Sequence, residues 1–156
     1  MTETTEPIDE RPTPGPGHAK LEVLIGTWRS EGHTVAGPDD PGTVIVGTDD
    51  YQWLGGGFFV VHRIDVRMGD EHVEAIEIIG NDRATGAYPT HAFDHTGGVA
   101  TYEMTERDGT WTVAGDGQRS RLEVAGDGVT MAAHWERQEA DGSWVPWMEM
   151  AFTKIA

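Results

Sequence analysis

At 156 residues the chain fits one domain built on one core, and its 21 glycines and 8 prolines suit many turns and few long helices. A formal charge of −16, with no cluster of Lys or Arg to interrupt it, repels phosphate backbones and argues against nucleic acid as a partner. The lack of cysteine excludes disulfides, thiolate metal sites and thiol nucleophiles.

Residues 1–17, "MTETTEPIDERPTPGPG", carry four prolines and several acids but little to bury, so the expectation is a disordered acidic, Pro-rich tail. It lacks a basic start followed by an apolar run, and no stretch approaches the roughly 18 apolar residues of a membrane span. A cytoplasmic protein with no membrane contact is the reading. In "HAKLEVL" the spacing of Leu21, Leu24 and Ile25 predicts one or two helical turns that stop at Gly26. Residues 18–156 then form a single domain.

Beyond Gly26 the hydrophobic period changes from 3.6 to 2. Nine turn signals, among them "GPDDPG", "LGGG", "RDG" and "AGDG", leave ten segments: Ile25–Val35, Thr43–Trp53, Phe58–Arg67, His72–Gly80, Ala87–Phe93, Val99–Glu106, Thr110–Ala114, Gln118–Val124, Val129–Gln138 and Ser143–Ile155. Asp-Gly between alternating segments marks a hairpin, because both turn positions accept positive φ. Consecutive strands therefore pair as a meander, and closure removes its two edges. The predicted fold is all-β, an antiparallel up-and-down barrel of about ten strands with a short N-terminal helix. A two-sheet sandwich has the same periodicity and stays open as an alternative.

The stretch "GTWRSEG", Gly26 to Gly32, resembles the Gly-x-Trp signature of lipocalins and their calycin relatives. "LGGGFFV", "EIIGNDRATGAY", "HAFDHTGGV" and "DGSWVPWMEMAFTK" look in this order like a lipocalin-like bacterial family known only as a domain of unknown function. The resemblance implies a barrel whose closed end is covered by Trp28, with a basic side chain of the last strand over the indole; Lys154 is the nearest match. "GTWRSEG" also keeps part of the opening of nitrobindins, which are haem-binding barrels. That family's iron ligand is a histidine on a late strand, and "WMEMAFTK" contains none. His134 is the only late histidine and alternates outward, so haem is not expected. No cofactor and no metal site is expected, and His91 and His95 would sit about 13 Å apart along a strand.

Alternation nominates the interior. Phe58, Val60, His62, Ile64 and Val66 share one face, which makes His62 the first candidate for a polar ligand contact. In "HVEAIEIIG" the phase is ambiguous; the face with Val73, Ala75, Glu77 and Ile79 is the preferred inward one, and it would set Glu77 as a carboxylate in an apolar wall. His91 and Phe93 are the inward choice in "AYPTHAFDH", leaving Tyr88, Thr90 and Asp94 outside. Tyr102 and Met104 point in, as do Met131, Ala133 and Trp135, with Met148, Met150 and Phe152 completing a soft wall. Trp147 and Ile76 fall on outer faces, where they hint at a homodimer contact.

P-loop, HExxH, Gly-x-Ser-x-Gly and dinucleotide fingerprints are all missing. The leading expectation is a carrier, sensor or sequestering protein for a small apolar or amphipathic molecule, with Trp28 and the apolar wall around it and His62, Glu77, His91 and Tyr102 fixing its orientation. The alternative is a cofactor-independent isomerase, cyclase or hydratase in which those four polar side chains act as acid and base, in secondary metabolism for example.

Overall fold

The computed structural model describes residues 11–156; the first ten residues of the expected tail lie outside the described ones. Helix α1 (Pro16–Ala19) continues into a 3₁₀ helix (Lys20–Leu24). Pro16 and Gly17 thus open the helix instead of ending the tail. Ten strands follow: β1 (Gly26–Thr34), β2 (Val44–Trp53), β3 (Val60–Met68), β4 (Glu71–Ile79), β5 (Tyr88–Asp94), β6 (Val99–Arg107), β7 (Thr110–Gly115), β8 (Gln118–Val124), β9 (Thr130–Gln138) and β10 (Trp144–Lys154). Each pairs antiparallel with its chain neighbours, and β1 pairs with β10, closing the barrel. Closure decides against the sandwich. It satisfies the backbone groups that an open meander would leave at two edges.

The Asp-Gly signals mark the hairpins for the expected reason. Asp108 and Gly109 have φ of 52° and 83°, and Asp116 and Gly117 have 53° and 69°, two successive positive values at each turn. "LGGG" is a tight turn in which the Leu54 N–H donates to the Phe59 carbonyl at 2.8 Å. That turn delays β3 to Val60, so Phe58 lies before the strand.

An up-and-down meander sends alternate turns to opposite ends of the barrel. The N-terminal helices cover the end where β1 begins. Leu21 and Leu24, both fully buried, plug it above Trp28, Val60 and Ile79. Trp28 is itself at 0% exposure, and its Nε1 donates to the Leu24 carbonyl at 2.8 Å. Lys154 pairs with Trp28 across β1 and β10 and sets its Nζ 5.1 Å from the ring centroid. Gly26 makes the helix-to-strand passage with φ of 134°, and a Cβ there would fall 2.8 Å from the Ala156 carbonyl oxygen. Glycine answers both demands. Among the described residues no helix is long and apolar enough to cross a membrane.

Candidate functional site

The other end of the barrel opens into a cavity of about 430 Å³. Its walls are mostly apolar, with Ile64, Val66, Met104, Met148, Met150 and Phe152 among them. The small Ala92 and Ala100, which face each other across β5 and β6, leave the space beside Glu77 free. Of the residues nominated by alternation, His62, Glu77, Tyr102, Met104, Trp135, Met148 and Met150 line this cavity. Phe93 also borders it but is 44% exposed.

Other nominated residues do not reach it. Trp28 and Val60 belong to the packed floor below the cavity. Phe58 stands outside the barrel, edge-on to His18 at 5.4 Å between ring centroids. The phase of β5 is the reverse of the expected one: His91 is exposed, whereas Tyr88 and Thr90 are 2% and 1% exposed and point in. Pairing enforces this, because Ile79 and Glu77 of β4 stand opposite Thr90 and Ala92, and directly opposed residues share a face. Trp147 also changes side. The register of β10 against β9 shifts between Pro146 and Met148, a bulge that brings Trp147 to the cavity with its ring 6.2 Å from that of Trp135. It is therefore not available as an outer dimer contact. His134 faces outward, as expected, and pairs with Glu149.

The chemistry of the site lies on four consecutive strands. Tyr51, His62 and Glu77 stand in one cross-strand row on β2, β3 and β4, and Asp49 sits one pleat away from Tyr51. His62 Nε2 lies 2.7 Å from Asp49 Oδ1, and Nδ1 lies 3.2 Å from Glu77 Oε1. Asp49 Oδ2 also accepts a hydrogen bond from the buried Ser30 hydroxyl. Tyr51 stacks on the imidazole at 3.8 Å and 11°. Burial pulls the His62 pKa down, but hydrogen bonds to Asp49 and Glu77 and their negative charge outweigh it and raise it to about 9. The imidazolium is the form present at neutral pH, with each N–H directed at a carboxylate. It has no free nitrogen for a metal ion. Burial, followed by the fields of Asp49 and Glu77, holds the Tyr51 phenol well above its ordinary range.

Asp49, Tyr51 and Ser30 were not nominated from the sequence, although "VIVGTDDYQW" alternates and puts Ile45, Asp49 and Tyr51 on one face. Ser120 is a further addition. It lines the cavity at 3% exposure, and its Oγ has no hydrogen-bond partner among the described residues.

Two solved structures show the same fold. Rv2717c from M. tuberculosis superposes with a TM-score of 0.67 at 9% identity, over 91% of this chain and 99% of that one. The S-type phycobiliprotein lyase CPES from Guillardia theta gives 0.64 at 10% identity, over 88% of this chain and 92% of that one. No curated protein matches the sequence. The family model of DUF1579, described as a protein of unknown function, matches residues 13–154. With the match running from the helical plug to the last residue of the closing strand, the chain belongs to the DUF1579 family.

Proposed function

We propose that this barrel binds one small, mostly apolar molecule and acts as a carrier, sensor or sequestering protein. The observation that carries the reading is the cavity of about 430 Å³, a size within the range of small-molecule sites and one that the protein's own side chains leave unfilled. Its apolar walls, with a few polar groups gathered on one side, suit a ligand that is held by burial and oriented by hydrogen bonds. A similar barrel in a phycobiliprotein lyase is in keeping with this role. Native mass spectrometry of freshly purified protein tests it. The expected result is an added small-molecule mass that disappears on denaturation, or uptake of the neutral dye Nile red with a rise in its fluorescence. Protein that carries no added mass and leaves the dye unchanged would overturn the reading.

The contact of His62 Nδ1 with Glu77 Oε1 at 3.2 Å favours a second reading, a cofactor-independent proton-transfer enzyme. In it the Glu77 carboxylate, on the cavity wall and oriented by the imidazolium, takes an α-proton from a bound carbonyl compound. The C–H electron pair passes to the carbonyl oxygen as an enolate, and reprotonation at the same carbon completes the exchange. A long-chain methyl ketone in deuterated buffer provides the check. Exchange of its α-protons faster than in buffer, and lost in Glu77→Gln, is the expected outcome; exchange at the buffer rate would end this reading.

A further inference from the structure

We infer that the ligand of this cavity is a hydrophobic amine, with an apolar body in the barrel and one ammonium group held by Glu77 and the acidic mouth. The inference rests on the ligand-binding reading and adds the charge of the guest. Its basis is the distribution of charge over the walls. Among the described residues that line the cavity there is no Lys and no Arg, whereas Asp49, Glu77, Asp94 and Asp116 all do. His62 is the one cation-forming side chain there, and its two ring nitrogens are taken up by Asp49 and Glu77. Asp49 and Glu77 thus share one imidazole, and the exposed Asp94 and Asp116 have no basic side chain on the lining.

Such a surface discriminates between guests by sign. An anionic head would find the one imidazolium already paired with Asp49 and Glu77, and would face carboxylates of its own charge. An ammonium entering the same site gains the field of those carboxylates and offers N–H donors to oxygen acceptors. The neutral polar groups suit the second case as well. Ser120, buried with its Oγ unpartnered, stands opposite Trp135 across β8 and β9. Trp135 and Trp147, with planes at 79°, give indole faces in two orientations, and such faces attract cations. The field at this end is also felt by Tyr102, whose phenol is pushed up first by burial and then by Glu77, Asp116 and Asp94.

Nonylamine, nonanol and nonanoate share one alkyl chain and differ in the charge of the head. Their binding is measured at neutral pH by displacement of Nile red and by calorimetry. The expected order is amine, then alcohol, then carboxylate, with the amine roughly tenfold or more tighter than the carboxylate. Glu77→Gln and, separately, Asp116→Asn are expected to narrow that gap. The second is a turn residue at φ of 53°, which asparagine tolerates, so its effect is readable even if the first variant folds poorly. Equal binding of all three, or a preference for the carboxylate, would overturn the charge assignment and leave the ligand-binding reading intact. If none of the three binds and Nile red is not taken up, both fall.

Discussion

Replacing His62 with leucine is expected to destabilise the fold by about 3–5 kcal/mol, the range observed when one partner of a buried ion pair is removed. The side chains of His62, Asp49 and Glu77 are 8%, 9% and 19% exposed, so the substitution leaves two carboxylates facing each other with little water to screen them. Urea unfolding with an unchanged slope is the measurement. Adding Asp49→Asn and Glu77→Gln to the His62→Leu protein is expected to restore much of the loss, which separates charge from packing. A loss below about 1.5 kcal/mol, as in a volume-conserving swap, would mean that the imidazolium does not hold these strands together.

The same group gives the wild-type protein a pH signature. The folded His62 pKa of about 9 lies above the ordinary 6.5, so the folded state binds the proton more tightly than the unfolded one. The resulting stability is fully present below about pH 6.5 and is lost as the pH rises through about 9. Its size is at most about 3.5 kcal/mol, at about 1.4 kcal/mol per pH unit. The tyrosines with raised pKa values and Lys20 titrate above this window, and His18, lowered by burial and by Arg83, below it. His62→Leu should therefore lack the decline between these limits, and an equal decline in both proteins would contradict the assignment.

Trp28→Ala is expected to cost about 3–5 kcal/mol, in the range for deleting a large buried aromatic. Three contacts converge on this side chain. The indole is fully buried beneath Leu21 and Leu24, its N–H satisfies the Leu24 carbonyl, and Lys154 lies over the ring. For a domain of this size the loss is on the order of 10 °C in melting temperature. Val44→Ala, at a site that is 65% exposed, is the control. If Trp28→Ala melts no lower than this control, the floor of the barrel is not built on the indole.

Which face of a strand points inward was legible wherever the alternation was clean. Tyr102 and Met104 on β6, and Met131 and Trp135 on β9, are placed as their pattern indicates. It failed on β5 because "AYPTHAFD" mixes polar and aromatic residues on both faces, and the deciding influence was the neighbouring strand with Ile79 and Glu77 fixed inward. It failed at Trp147 because a bulge shifts the side-chain phase by one residue and has no signature in "SWVPWMEM" beyond the proline. Asp49 escaped notice for a different reason. Nothing local in "TDDYQW" separates the buried Asp49 from its neighbour Asp50, because the partner that holds Asp49, His62, comes from the adjacent strand.

The sequence by itself determined the order and number of the elements. Its turn residues set where the chain reverses, its two-residue period sets what lies between, and Gly26 with Trp28 sets how the first strand begins, all through interactions over a few residues. The tertiary structure decided what stands next to what. The ring of strands brings Ser30, Asp49, His62 and Glu77 from four separate segments into one chain of hydrogen bonds, and it gathers Glu77, Asp94 and Asp116 around a single cavity. Closure and register are collective properties of ten paired strands, and local propensity does not encode which distant side chains they bring within reach.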